Sequence, residues 1–274
     1  MTANNVDAAL LRSVHLFGKL SEGHLPRLVA ASSLHRVAAR TVLFAEGDRL
    51  DALYVVVHGA VELYSERVDR RFTVAVVRAM RPLALASVVA GRNPLSARVL
   101  EPSELMVVPA LLVVELAGRD PAFACVVAHE LAVGCHEIIE DFRSHRLRTT
   151  TERVAHWMLR CDESSGRTGR FVIPYDKRVL ASYLGMAPEH LSRSFSALAS
   201  AGVVVSGRRI MFTDRAALSA AAGFDGLDLA GRAEGAAPRS VPTAAPNDRR
   251  AVAGSSGLVR RSVKRGDAAP SAAS

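Results

Sequence analysis

One long helix is the strongest structural prediction from this sequence, because it separates a strand-rich half from a helical half. After Pro121 no proline occurs as far as Leu147, and apolar or small residues recur at steps of three and four. This spacing predicts an amphipathic helix of about seven turns. Its apolar stripe is long enough to form a coiled-coil seam with a second helix. The predicted seam residues are Phe123, Val127, Leu131, Gly134, Ile138 and Phe142.

Gly134 is the costly residue of this predicted seam. Glycine inside a helix is less favourable than alanine by about 1 kcal/mol. Its place between Leu131 and Ile138 predicts a point where two helix backbones approach each other closely. The alternative is that Gly134 is merely tolerated and has no packing role.

The segment before the helix has the pattern of an antiparallel β-roll. Short β-branched runs, among them LYVVVHGAVELY and FTVAVV, are separated by Gly, Asp, Asn and Pro. Such runs with turn residues between them are typical of antiparallel rolls and barrels. Gly47, Gly59 and Gly91 are the predicted turn glycines, and residues 6–32 are predicted to form two short helices.

The segment after the long helix predicts a helix-turn-helix. A helix over residues 177–184 is expected to end at Gly185, because glycine readily adopts the left-handed conformation that closes a helix. Pro188 suits the first turn of a second helix, where its missing N–H costs nothing. Two helices joined by a three-residue turn form this motif. Downstream, VVVSGRRIMF alternates about Ser206-Gly207 and predicts a hairpin, or wing.

The second helix of this motif carries short polar side chains opposite its apolar stripe. A helix that enters the major groove needs such side chains, because Arg can donate two hydrogen bonds to guanine and Glu can accept one from cytosine. The alternative is a structural helical hairpin with an ordinary Glu–Arg ion pair. The predicted base-reading residues are Glu189, Ser192 and Arg193, and the predicted phosphate-binding residues are Lys177, Arg208 and Arg209.

Positive charge is concentrated towards the C-terminus. Residues 1–145 carry a net charge of −1, residues 146–223 carry +6 and residues 224–274 carry +3. A basic segment beside a neutral one favours a nucleic-acid partner, although a basic solvated surface has the same composition. The last segment consists mainly of Ala, Gly, Pro, Ser and Arg, which predicts a disordered tail.

Several classes of protein are not expected. No run of 18 uncharged apolar residues occurs, and the N-terminus lacks a basic start followed by an apolar block, so neither a membrane span nor a secretory signal is predicted. Three scattered cysteines are too few for a disulfide framework and favour the cytoplasm. Two of them, Cys125 and Cys135, are expected to be buried, inert thiols of the long helix.

Catalytic and metal-binding patterns are also not predicted. The sequence contains no Gly-Lys-Ser phosphate loop and no HExxH, CxxC or GxSxG motif, so an enzyme is not expected. The segment HEIIED, residues 136–141, could hold a metal ion. An exposed charged face of the long helix is the simpler explanation, and no metal site is predicted.

From about residue 10 to residue 222 the sequence resembles the Crp/Fnr family of bacterial transcription regulators. The matching segments, in order, include SVHLFGKLSEGHLPRL, LFAEGDRLDALYVVVHGAVELY, TERVAHWMLR, IPYDKRVLASYLGMAPEHLSR and GRRIMFTD. The resemblance implies an α+β protein with an antiparallel, jelly-roll-like β-roll as sensory domain. The implied divisions are the roll over 6–120, a dimerisation helix over 121–147, a winged helix-turn-helix over 148–223 and a tail over 224–274.

The same resemblance implies the partners of the protein. A regulator of this kind is a homodimer that binds double-stranded DNA, with RNA polymerase as its protein partner. The pattern Pro-Glu-x-x-Ser-Arg, residues 188–193, is similar to the Fnr-type recognition helix, in which Glu, Ser and Arg read a TTGA-type half-site. A second function remains open, namely a ligand-binding regulatory module with a degenerate pocket that acts through a protein partner.

The cassette that binds cyclic nucleotides in one branch of this family is altered here. In that branch a Glu holds the ribose and an Arg neutralises the cyclic phosphate. This chain has Leu85 and Leu95 at those places, so cyclic AMP and cyclic GMP are not expected to bind. Arg92 and Arg98 lie nearby and could supply the missing cation. The predicted effector-pocket residues are Leu83, Leu85, Leu95 and Ser96.

Other effectors of the family can be judged by the protein side chains that they require as ligands. An N-terminal iron–sulfur cluster is not expected, because no cysteine precedes Cys125. A haem needs an apolar pocket and usually an axial histidine, and the leucine-lined cassette with four histidines in this half keeps haem open as a cofactor. These histidines are His15, His24, His35 and His58.

Overall fold

The strand-rich half of the protein forms two antiparallel sheets that share one core. The computed structural model describes residues 4–68, 70–173 and 175–223, and the predicted tail over 224–274 lies outside them. The strands of this half are β1 (Asn4–Asn5), β2 (Ser33–Val37), β3 (Val42–Phe44), β4 (Ala52–His58), β5 (Ala60–Arg67), β6 (Arg70–Arg78), β7 (Arg81–Leu83), β8 (Ser96–Val99) and β9 (Ser103–Pro109).

The strand order gives this half the topology of a roll. One sheet has the order β1-β2-β9-β4-β7 and the other the order β3-β8-β5-β6. Side chains alternate across each strand, so that Val61 and Val99 of the second sheet and Val55 and Leu105 of the first lie in one buried cluster. The predicted antiparallel β-roll is confirmed. Gly47, Gly59 and Gly91 all have positive φ angles, as their turns require.

Short helices close the roll and support the long helix. They are α1 (Ala8–Ser13), α2 (Leu25–Ala31), α3 (Leu85–Ala90) and α4 (Ala110–Arg119), and the long helix α5 follows over Pro121–Leu147. Asp120 caps α5, since its carboxylate accepts hydrogen bonds from the backbone N–H of Phe123 at 3.1 Å and of Ser21 at 3.0 Å. The phenyl ring of Phe123 stacks on Phe17 with the centroids 6.0 Å apart. The start of α5 is therefore part of the roll.

The C-terminal half forms a second core. Its elements are α6 (Thr150–Ser164), β10 (Arg170–Val172), α7 (Lys177–Tyr183), α8 (Pro188–Ala197), β11 (Val203–Ser206), β12 (Arg209–Phe212) and α9 (Arg215–Ala221). Trp157, Leu180, Phe195 and Ile210 meet in one buried cluster. A capping box between Thr149 and Glu152 starts α6.

The long helix also has the length and composition of a membrane span. Its most apolar stretch of 18 residues has a mean hydropathy of 1.5, and 22% of that stretch is buried. One such helix is weak support for a span, because a helix that packs against a second copy has the same composition. Two acids on α5, Glu137 and Asp141, are paired with Arg81 and Arg160 of the same chain.

Candidate nucleic-acid interface

The turn between α7 and α8 fixes the angle between them through backbone hydrogen bonds. Gly185 has a φ of +63°. Its N–H donates to the carbonyl of Ser182 at 3.0 Å, and the N–H of Met186 donates to that of Ala181 at 2.9 Å. These are the two bonds of a Schellman motif, which needs a left-handed residue at this position. Pro188 then opens α8 in its first turn, as predicted.

One side of α8 is buried and the other is free. Leu191 and Phe195 lie in the second core, whereas Glu189, Ser192 and Arg193 are exposed. Among the residues that the structure describes, no hydrogen bond or ion pair joins Glu189 or Arg193 to another side chain. An ordinary ion pair between Glu189 and Arg193, which the sequence left open, is therefore absent from the described part of the chain. Both side chains are available to a ligand.

The serines of this exposed side bond to their own helix. The hydroxyl of Ser192 donates to the carbonyl of Pro188 at 3.1 Å, and the hydroxyl of Ser196 donates to that of Ser192 at 3.2 Å. Such back-bonding keeps the hydroxyls close to the helix. The surface between Glu189 and Arg193 is consequently shallow, as a helix inside a groove needs.

A small sheet with the order β10-β12-β11 carries the wing. Its tip is Gly207-Arg208, not Ser206-Gly207 as predicted, because Ser206 pairs with Arg209 across the hairpin. Gly207 has a φ of +59°, which suits glycine at the first central position of a two-residue turn. Arg208 is exposed, and its Nε donates to the carbonyl of Ile173 at 2.5 Å.

The other predicted phosphate-binding residues lie on either side of α8 in the chain. The Nζ of Lys177 is 5.4 Å from the centre of the Phe195 ring, so the aliphatic stem of this lysine covers the helix flank while its charge stays at the surface. Arg209 is exposed at the start of β12. Lys177 and Arg193 thus carry positive charge on or beside α8, and Arg208 and Arg209 carry it at the wing.

The predicted effector pocket lies in the core of the roll. Leu83 and Leu85 are buried, and Leu95 packs against the same cluster. Ser96 is also buried, and its hydroxyl accepts a hydrogen bond from the backbone N–H of Glu46 at 2.9 Å. Apolar side chains therefore occupy the positions at which a cyclic phosphate would need a cation.

Arg98 faces the other side of its strand. Ala97 and Val99 lie in the core of the roll, and side chains alternate, so the guanidinium of Arg98 points away from the leucines. It pairs with the buried carboxylate of Glu62 at 2.6 Å, and the hydroxyl of Thr73 donates to the same carboxylate at 2.6 Å. Arg98 is committed to this network, and Arg92 is exposed.

Two of the four histidines considered for a haem have partners in the protein. His15 Nδ1 lies 2.6 Å from a carboxylate oxygen of Glu130, and His35 Nε2 lies 2.8 Å from the hydroxyl of Ser33. His24 precedes α2, and His58 ends β4. Across the described ranges no group of three or more His, Cys, Asp or Glu side chains is arranged to hold a metal ion.

The predicted seam of α5 divides between two sides of the helix. Phe123 and Val127 are buried in the core of the roll, and Leu131 packs against it. Ile138 and Phe142 are 65% and 60% exposed. Phe123 and Val127 therefore cannot contact a second copy as predicted, because the roll already covers them.

Gly134 does not lie on the exposed apolar side either. At 100° per residue it is about 160° around the helix from Ala132, towards the side that carries Phe123. A Cβ added to Gly134 meets nothing within 4 Å. This space is open within one protomer, so the predicted close approach of two helix backbones at Gly134 stays a prediction.

The exposed side of α5 forms a different stripe, which we call the free face. Its members recur at alternating steps of three and four, the spacing of a two-stranded coiled coil. Ile139 and Phe142 are its large residues, at 50% and 60% exposure. Cys125 and Cys135 are exposed, which corrects the prediction that they are buried. The free face consists of Cys125, Ala128, Ala132, Cys135, Ile139 and Phe142.

Two family profiles match the chain in sequence order. The profile of the cyclic nucleotide-binding domain matches residues 34–120, and that of the Crp-like helix-turn-helix domain matches residues 152–221. The chain belongs to the Crp/Fnr family of transcription regulators. Members of this family bind DNA and usually act as dimers. A comparison with curated proteins finds no match.

Solved structures support the same fold for this Crp/Fnr regulator. A protein from Silicibacter pomeroyi DSS-3, described as a candidate cAMP-binding regulatory protein, is 28% identical with a TM-score of 0.55, over 78% of this chain and 97% of its own. FixK2 from Bradyrhizobium japonicum is 23% identical with a TM-score of 0.64, over 69% and 96%. CooA from Carboxydothermus hydrogenoformans is 14% identical with a TM-score of 0.63, over 80% and 96%.

Sequence analysis of this Crp/Fnr regulator missed two features. The first is the strand β10, which pairs with β12 in the wing sheet. It was missed because three residues are too few to show the alternation of a strand. The pair of Glu62 and Arg98 was also missed. On each of the two strands the charged residue lies between apolar neighbours. Such an acid and base indicate a cross-strand pair once the register of the strands is known.

Proposed function

We propose that this regulator binds DNA as a homodimer and reads a palindrome of two TTGA-type half-sites through α8. The observation that carries the proposal is the exposed, unpaired state of Glu189 and Arg193 on a helix whose opposite side is buried. Arg193 would donate two hydrogen bonds to guanine, and Glu189 would accept one from cytosine. Ser192 between them keeps the surface shallow. RNA polymerase is the proposed protein partner, and the cytoplasm the proposed location.

The free face of α5 supports the dimer. Its heptad spacing and its exposed Ile139 and Phe142 are suited to a parallel pair of helices. Two recognition helices must lie about 34 Å apart to enter successive major grooves. We propose that the pair of α5 helices holds them at that distance.

The effector of this regulator is proposed to be something other than a cyclic nucleotide. A cyclic phosphate beside Leu85 and Leu95 would be buried without a cation, which is strongly unfavourable. Arg98 is engaged by Glu62 and is not free to neutralise such a phosphate. Haem stays a weaker proposal, supported by the apolar cassette alone. The protein is proposed not to be an enzyme.

A titration with two duplexes tests the DNA-binding proposal. Fluorescence anisotropy compares a duplex that contains the TTGA palindrome with one of the same composition in scrambled order. We expect binding to the palindrome to be tighter by roughly 10³-fold or more at physiological salt. Equal affinity for both duplexes would favour the second function, a regulatory module that acts through a protein partner.

Cyclic nucleotides are expected not to bind. Titration calorimetry with cyclic AMP and cyclic GMP at about 1 mM should give no saturable heat, because Leu85 and Leu95 stand at the places of the charged ligands. The same preparation should bind its operator, which controls for inactive protein. A saturable isotherm in the micromolar range would contradict this expectation, and its loss in Arg92→Ala would identify the cation.

The wing is expected to strengthen DNA binding through its positive charge and not to distinguish between bases. Arg208→Ala should weaken binding to specific and nonspecific duplexes by the same factor and reduce the salt slope by about two units, one for each protomer of the dimer. Anisotropy at several salt concentrations measures both quantities. The matched control is Arg36→Ala, because Arg36 is an exposed arginine of the roll, far from α8 in the chain. An altered base preference in Arg208→Ala would show that the wing reads sequence.

Replacing Gly134 is expected to stabilise the protein. The position has helical geometry and open space around the added Cβ. Gly134→Ala should therefore raise the free energy of unfolding by up to about 1 kcal/mol, with operator affinity unchanged. Denaturant unfolding and an operator titration provide the measurements. A loss of dimerisation in this variant would restore Gly134 as a contact point between the helices.

A further inference from the structure

The end of α7 is held by side chains of the long helix. The hydroxyl of Tyr183, the last residue of α7, donates to the carboxylate of Asp141 at 2.9 Å. The other oxygen of Asp141 accepts from the guanidinium of Arg160 on α6 at 2.5 Å. One carboxylate of α5 therefore binds two elements of the DNA-binding half at once.

The Tyr183 hydroxyl and the Arg160 guanidinium keep their protons over the physiological range, because the pKa of each is raised. Burial raises the pKa of Tyr183, so its hydroxyl stays protonated and continues to donate. The pKa of Arg160 is raised despite its burial, because Tyr183, Asp141 and Glu137 lie around it. Tyr183 and Arg160 therefore remain hydrogen-bond donors to Asp141, and we call this contact of α5 with α6 and α7 the joint.

A second contact lies one turn further along α5. The imidazole of His145 packs against Gly185 in the turn of the helix-turn-helix, where an added Cβ would come within 2.8 Å of the ring. Burial, and then the charge of Arg153, lower the pKa of His145, so the ring is mainly neutral near pH 7. Gly185 is therefore required both by its positive φ and by this close approach.

The roll holds the same end of α7 from another side. The backbone N–H of Thr73 on β6, the edge strand of its sheet, donates to the hydroxyl of Ser182 at 2.8 Å. The side chain of Thr73 bonds to Glu62, which pairs with Arg98. A continuous series of hydrogen bonds therefore runs from the face of this sheet that is turned away from the roll core to α7.

We propose that Asp141 and Tyr183 are positioning residues for DNA recognition, which fix α8 relative to α5 and so set the distance between the two recognition helices of the dimer. The inference rests on the proposed function. The Schellman turn joins α7 rigidly to α8, and α5 carries the free face through which the second copy is held. The contact of Asp141 on α5 with Tyr183 on α7 then determines where each α8 lies along the DNA.

The experiment varies the spacing of the half-sites. Full-length parent, Tyr183→Phe and Asp141→Asn are titrated with palindromes at the parent's preferred spacing and with one base pair inserted or removed. The parent should prefer its own spacing. In both variants the ratio of the affinities for the preferred and the altered spacing should fall by roughly 3- to 30-fold. This range corresponds to the usual coupling free energies between distant sites in a protein. Preference for TTGA over a mutated half-site at fixed spacing should stay that of the parent.

The matched control is Tyr175→Phe. Tyr175 is a buried tyrosine of the same DNA-binding half, and the pKa of its hydroxyl is likewise raised by burial. Within the described ranges no hydrogen bond joins it to α5. This variant should keep the spacing preference of the parent. If Tyr183→Phe and Asp141→Asn also keep it, the joint does not position α8. If they lose base preference together with spacing preference, Asp141 and Tyr183 support the folding of the head, and the proposal is overturned.

The two proposals fail in different ways. A parent protein without preference for any palindrome contradicts the proposed function before a variant is made. A parent that prefers one palindrome and one spacing, with variants that share its spacing profile, contradicts only the positioning role.

Discussion

Arg193→Ala is expected to lose specific operator binding while it keeps nonspecific binding to DNA. Losing a bidentate contact to guanine costs about 1–3 kcal/mol per half-site, so the dimer should bind roughly 30-fold more weakly or worse. Preference at that one base pair should relax, because no other side chain on the exposed side of α8 can replace two donors. Anisotropy titrations against each single-base variant of the operator give both results.

The control for this experiment is again an arginine of the roll. Arg36→Ala removes the same charge from an exposed side chain, so a change that is shared by both variants reports only net charge. Equal operator affinity and an unchanged base preference in Arg193→Ala would show that another element reads the sequence.

Ile139→Glu is expected to separate the dimer. The substitution places one like charge from each protomer on the free face near its C-terminal end, where a buried unpaired charge costs about 3–5 kcal/mol. Dimer dissociation should increase roughly 100-fold or more, and operator affinity should fall with it. Sedimentation velocity combined with operator titration measures both, and the variant should keep the thermal unfolding of a folded protomer.

Val42→Glu is the matched control for the dimer experiment. Val42 lies on the roll and is 53% exposed, against 50% for Ile139, so the two substitutions make a similar change to an exposed apolar side chain. Val42→Glu should remain dimeric. If Ile139→Glu also remains dimeric and binds its operator like the parent, the free face of α5 is not the contact between protomers.

Features that are encoded locally were predictable from the sequence. The end of α7 at Gly185 and the start of α8 at Pro188 follow from the backbone preferences of these two residues. The roll follows in the same way from strand alternation and from turn glycines such as Gly59, whose φ is +96°. Each of these predictions needs only neighbouring residues, and for that reason the structure agrees with it.

The predicted seam of α5 joins residues of two sides of the helix, the side that packs on the roll and the free face, for a physical reason. Apolar residues surround more than half of this helix, because one side packs on the roll and the other is free. Periodicity alone gives only the average direction of all the apolar residues around the helix. That direction lies between the side that packs on the roll and the free face. Phe123 and Val127 belong to the roll, whereas Ile139 and Cys135 belong to the free face. Only the position of the roll separates them.

Contacts between distant segments could not be predicted. Asp141 meets Tyr183, and Thr73 meets Ser182, across separations of 42 and 109 residues. The acid at Asp141 was predicted as part of an exposed charged face, which is the usual place for such a residue. Its role in the joint depends on the angle between the two halves of the protein, and no local pattern encodes that angle.

Selection of bound duplexes from a random-sequence pool tests the central claim most directly. The pool is passed over the full-length protein through several rounds at physiological salt, and the enriched sequences are aligned. We expect a palindrome of two TTGA-type half-sites with centres about one helical turn or a multiple of it apart. We also expect that Arg193→Ala enriches a site degenerate at the guanine. Enrichment of no common site, or of the same site by the parent and by Arg193→Ala, would contradict the account.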